Sequence, residues 1–142
     1  MKIGFGSILT IYAMTAGVFF LIDLFWLGYA AKEIYARYIG NLLRDQDNWP
    51  AALAFYAVYI GGILLFAVVP ALQGNWPLWR AALIGGLLGF FAYATFDLTS
   101  LALIRGWSTT IVILDMIWGT VLTGGTCTAV VWLSRALINK VG

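Results

Sequence analysis

Four long apolar runs separated by short polar stretches organise this chain of 142 residues. They cover residues 3–31, 51–72, 80–104 and 111–133. About 20 apolar residues cross the hydrocarbon of a bilayer, so each run is long enough to span it as a helix. The first run exceeds that length, which predicts a tilted or protruding helix. It also exceeds the apolar core of about 7–15 residues expected of a secretory signal peptide, the other reading of such an N-terminus.

The connections are as informative as the runs. Residues 32–44 form the most polar part of the sequence, yet Ile34, Tyr35, Tyr38, Ile39, Leu42 and Leu43 recur there at helical spacing. Glu33, Arg37, Asn41 and Arg44 fall on the opposite side, a pattern that suits a short helix lying in the headgroup layer. Such a helix is an anchor between spans or, in the sharper reading, a substrate gate. Asp45, Gln46, Asp47 and Asn48 predict a turn, and Pro50 suits the first turn of the next helix, where its missing N–H would be unsatisfied in any case. Residues 73–77 make a short loop. Ser108 to Thr110 offer capping hydroxyls to the last span. Trp49, Trp76, Trp79, Trp107 and Trp132 stand near span ends, where amphipathic rings collect. The expected fold is all-α: a polytopic membrane protein of a single transmembrane domain, with four transmembrane helices and an interfacial helix between the first and second.

Composition agrees and narrows the function classes. With 63% hydrophobic and 10% charged residues, there is too little polar surface to cover a water-soluble globule. The net charge of +2, without a basic cluster interleaved with aromatics, argues against a nucleic-acid partner. There is no histidine, which removes imidazole metal sites, a Ser-His-Asp triad and a histidine switch together. The single cysteine, Cys127, lies within an apolar run and leaves the redox compartment open. Lys2, Arg80, Arg135 and Lys140 fall on the side of the termini, and Lys32, Arg37, Arg44 and Arg105 on the other, four basic residues against four. Glu33, Asp45 and Asp47 on the second side tilt the balance toward cytoplasmic termini in a bacterial inner membrane, with insertion in both directions as the alternative.

The candidate chemistry lies in the distribution of acids. Of six acidic residues, Asp23, Asp97 and Asp115 lie deep inside apolar runs, while the eight basic residues lie outside them or, as Arg80, at the first position of one. A carboxylate at membrane depth must find a partner, a proton or water. Counted along their helices at about 1.5 Å per residue, all three sit roughly 8–12 Å from the face opposite the termini. Tyr56 and Tyr59 of the second span reach the same level. In the third span Gly86, Gly89, Tyr93, Asp97 and Ser100 share a stripe, and its small residues allow close approach of a neighbour. Asp115 shares its face with Trp118 and Gly119, and Asp23 with Thr15, Phe19 and Trp26. The expectation is a cleft lined by Asp23, Asp97 and Asp115 with Tyr56, Tyr59 and Tyr93, supported by Trp26, Trp118 and Ser100. Each residue also has a plain structural reading: the acids as hydrogen-bonding glue between helices, Asp115 as a group held by a helix N-terminus, and the tyrosines as packing.

The segments IDLFWLG (residues 22–28), FYAVYIGG (55–62), TFDLTSLAL (95–103) and ILDMIWG (113–119) resemble those of a bacterial family of small four-span membrane proteins that carries a domain-of-unknown-function label. The likeness covers almost the whole chain and implies four spans. It brings no activity and assigns no site residue. The family's tyrosine and asparagine in a YDLTN element are replaced here by Phe96 and Ser100.

Acids without a buried lysine or arginine must share protons or bind a positive charge. The leading expectation is therefore proton or cation binding in a transport role, within a homo-oligomer or a larger membrane complex, because four thin spans leave little room for a pathway. The alternatives are an intramembrane enzyme acting on a lipid or isoprenoid, with one carboxyl as general acid and another as base or magnesium ligand, and an accessory subunit. No cofactor is indicated.

Overall fold

The computed structural model describes the backbone of residues 3–141 and the side chains of residues 3–137. Lys2 and the side chain of Lys140, used in the charge comparison above, lie outside them. Among the described residues every regular element is helical: α1 (Phe5–Leu42), α2 (Trp49–Gln73), α3 (Leu78–Leu103) and α4 (Thr109–Val141). All four are long and apolar enough to cross a membrane. Their starts follow local chemistry. The Asn48 side chain accepts the Ala51 N–H at 3.3 Å with Pro50 in the first turn, and Ser108 Oγ accepts the Ile111 N–H at 3.4 Å. The tight corner between α2 and α3 uses Asn75 at φ 51°, a left-handed conformation that asparagine tolerates.

Burial is inverted relative to a water-soluble protein. Val58 is 76% and Leu103 84% exposed, whereas Thr15, Asp97, Thr123 and Thr126 are fully buried. The outward apolar faces are those an acyl-chain solvent would wet. The closest helix pair is α3 with α4, and glycine makes it so. A Cβ on Gly89 would strike the Gly119 carbonyl and the Thr123 side chain, and one on Gly119 would enter the Tyr93 ring. Helix α1 lies against α4 and α2. Phe19 fills the middle of the bundle, with the rings of Tyr56 and Tyr59 edge-on to it at 6.0 and 5.8 Å.

Two helices contain wide π turns. In α2 the turn Leu64–Val68 precedes Pro70, whose ring crowds the preceding turn and cannot donate to it. In α1 the turn Leu27–Ala31 joins the membrane span to Lys32–Ile39. The predicted interfacial segment is therefore helical but continuous with the first span. Its predicted stripe is also divided: Ile39 is buried and Tyr35 partly so, while Tyr38, Leu42 and Leu43 are exposed. The cause is protein contact, since Lys32–Ile39 packs against α4.

At the opposite end, Arg135 Nη2 donates to the Trp76 carbonyl at 2.6 Å and to the Ala71 carbonyl at 3.3 Å. The Arg80 guanidinium covers the Trp76 ring at 4.5 Å. This clamp fastens the α2–α3 corner to α4. Replacing Arg135 with leucine is expected to cost about 1–2 kcal/mol, the range of hydrogen bonds from a charged donor that is only partly buried. Thermal unfolding in detergent would register that loss, and an unchanged midpoint would count against the clamp.

Candidate functional site

Asp23 of α1 is turned inward by the stripe that also buries Thr15 and Phe19. Two neutral donors reach its carboxyl: the Tyr56 hydroxyl donates to Oδ2 at 3.1 Å, and the Trp118 indole N–H donates to Oδ1 at a longer 3.4 Å. Trp118 stacks on Trp26 with ring centres 4.8 Å apart and planes 14° from parallel. The spacing Asp-x-x-Trp thus occurs on two antiparallel helices but is used only once. Trp118 serves Asp23, whereas the Trp26 indole N–H has no partner among the described residues. Asp115 is instead met from outside the span, where the Tyr35 hydroxyl donates to its Oδ1.

Asp115 lies three residues before Trp118, about one helical turn nearer the 104–108 loop. It forms one wall of a cavity of about 300 Å³ whose other lining residues are Phe55, Tyr59, Ala92, Tyr93 and Phe96. The Tyr59 hydroxyl shares a hydrogen bond of 2.7 Å with Thr123 Oγ1, and its ring stands edge-on to Tyr93 at 6.2 Å. Helix α2 diverges from α3 here. The two meet at the Leu64–Val68 turn and have no comparable contact along the first half of α2. The cavity is the gap they leave.

Asp97, expected in one cleft with the other two acids, is not among the residues that line this cavity. It is level with Asp115, since Tyr93 packs on Gly119 and Asp97 and Asp115 each lie four residues farther toward the 104–108 loop. Its side chain, however, is fully enclosed, and neither carboxyl oxygen has a hydrogen-bond partner among the described residues. The neighbouring donor is the Trp107 indole N–H, which is unpartnered as well. Asp97 continues the stripe of α3 whose Gly86 and Gly89 pack closely on α4, and of that stripe it is Tyr93 that lines the cavity. Ser100, one turn on, is buried beside it. Among the described residues no group of three acidic or cysteine side chains is placed to hold a metal ion.

Residues 8–132 match the model of a family described as "Predicted membrane protein (DUF2177)". The chain belongs to this family. No curated protein and no solved structure matches it. The membrane assignment of the family agrees with the four helices of the structure that are long and apolar enough to span a bilayer. Beyond that, the family assigns no chemistry to Asp23, Asp97 or Asp115.

Two of the residues that shape the site escaped the sequence reading in that role. Tyr35 stood in the apolar stripe of a segment expected on the membrane surface, and nothing in its spacing signals a partner 80 residues away. Thr123 is one of several hydroxyls in α4. A polar residue at every buried position of a span would have flagged it, but not its bond to Tyr59.

Proposed function

We propose that this protein binds a positive charge, a proton or a cation, at the Asp23–Asp115 layer within the membrane and serves in its transport. One observation carries the reading. Both acids are inside the span, and among the described residues their hydrogen-bond donors are neutral, Tyr56 and Trp118 for one and Tyr35 for the other. Phenol and indole N–H or O–H groups orient a carboxyl without cancelling its charge, so the counter-charge has to come from outside the protein. The divergence of α2 and α3 supplies a way to one of the two acids. Asp97 is enclosed and does not line the cavity, so this reading assigns the charge to Asp23 and Asp115.

The setting follows from the residue distribution. The reading takes the membrane to be a bacterial inner membrane, with Glu33, Asp45 and Asp47 at the face opposite the termini supporting cytoplasmic termini. Four helices give a pathway only one bundle wide, which favours a homo-oligomer or a membrane complex.

Reconstitution in liposomes tests the reading. With an imposed pH gradient and a pH-sensitive dye, the wild type should carry a flux that Asp23→Asn and Asp115→Asn each lower at least about tenfold. Loss of a buried charge partner costs on the order of 2–5 kcal/mol. Asp47→Asn, in the exposed loop before α2, should leave the flux unchanged. Equal flux in wild type and both membrane variants would end the proposal.

A further inference from the structure

The cavity beside Asp115 has a composition that selects among positive charges. Four of its six lining residues, Phe55, Tyr59, Tyr93 and Phe96, are aromatic, and the other two are Ala92 and Asp115. An anion would meet the Asp115 carboxyl with no basic residue in the lining to offset it. A sugar or a peptide would need several free hydrogen-bonding groups, and the Tyr59 hydroxyl is already taken by Thr123. A bare hard cation needs about six oxygen ligands, and this lining offers one carboxyl and two phenols. What does match is a diffuse charge on an apolar body, because aromatic faces attract such a charge and one carboxylate can neutralise it.

We infer that this cavity is a binding site for an organic monocation, an alkylated ammonium carrying a compact apolar group, which enters from the acyl-chain layer between α2 and α3. The inference rests on the cation reading above and names its substrate class. Three further observations support it. The volume, about 300 Å³, lies at the lower end of small-molecule pockets. Phe55 and Phe96 are about half exposed, so the rim of the cavity stands in the lipid rather than in water. The Tyr35 hydroxyl holds Asp115 Oδ1, and among the described residues Oδ2 has no hydrogen-bond partner. The carboxyl is therefore fixed in orientation with one oxygen unused.

Calorimetric titration of the full-length protein in neutral maltoside micelles tests this directly, with benzyltrimethylammonium as the probe. The wild type should bind it, and Asp115→Asn should bind at least about thirtyfold more weakly, as expected for loss of a buried charge partner. Phe55→Leu and Phe96→Leu should each weaken binding about three- to tenfold through the lost ring face. These two carry the test if the Asp115 variant fails to elute as a single species. Neopentylbenzene, the uncharged carbon analogue of the probe, should not compete. A short-chain phosphatidylcholine separates a lipid-borne ammonium, which would displace the probe, from a free amine. Undiminished binding to Asp115→Asn together with both phenylalanine variants, or equal competition by neopentylbenzene, would overturn the inference. Proton or metal-cation flux in liposomes without benzyltrimethylammonium binding would remove it and leave the wider reading standing. Binding without flux would do the reverse.

Discussion

Gly89→Val is expected to separate α3 from α4 and to leave little protein that elutes as a folded species. At this crossing even the first carbon of a side chain collides with backbone, the Gly119 carbonyl, and with the Thr123 side chain. Carbonyls in a helix cannot swing aside without breaking its ladder, so the two helices would have to move apart. Overpacking a well-filled interior costs about 1–3 kcal/mol for ordinary contacts, and a backbone collision in the closest helix pair belongs at or above the top of that range. The same movement would draw the Tyr93 ring off Gly119 and deform the cavity that Tyr93 lines. Thermal unfolding followed by circular dichroism in detergent is the measurement. A midpoint within about 2 °C of the wild type would mean that the α3–α4 contact is not what holds the bundle.

Asp97→Val is expected to act in the opposite direction and raise stability. Asp97 is fully enclosed with both oxygens unpartnered among the described residues. A buried polar group without a hydrogen bond costs about 1–3 kcal/mol, and valine exchanges that cost for apolar contact at nearly the same volume. For a chain of this size the unfolding midpoint should rise by about 3–10 °C. A fall in the midpoint would show that a partner holds the carboxyl after all. Because Asp97 is enclosed and does not line the cavity that Asp115 walls, the variant should also keep its liposome flux. A stabilised protein that has lost flux would instead mark Asp97 as an acid kept for function at the expense of stability.

Much of the architecture could be read in one dimension. Run length alone identifies four spans, because the hydrocarbon thickness sets the number of apolar residues a helix needs. Periodicity also placed Thr15, Phe19 and Asp23 on one buried face, and Gly86, Gly89, Asp97 and Ser100 on another. Depth could be counted from span ends, which is why Asp97 and Asp115 are level. What periodicity does not contain is the identity of the neighbour that a buried face meets. Asp97 and Asp115 occupy the same height, yet one is fully enclosed and the other lines a cavity.

The segment after the first span illustrates the same limit. Its alternation of Ile34, Tyr35 and Ile39 with charged residues is equally compatible with lying on lipid and with lying on protein. An amphipathic stripe records that one side is apolar, not which apolar surface it covers. Helix α1 runs on through a π turn, and Tyr35 comes to rest on Asp115. The sequence by itself determined that this is a four-span membrane protein with carboxyls inside the bilayer, because both follow from how many apolar residues lie in a row. Only the tertiary structure decided that Asp23 and Asp115 stand among neutral donors while Asp97 is sealed away. Those contacts depend on how closely helices distant in sequence approach, and that is set by their packing.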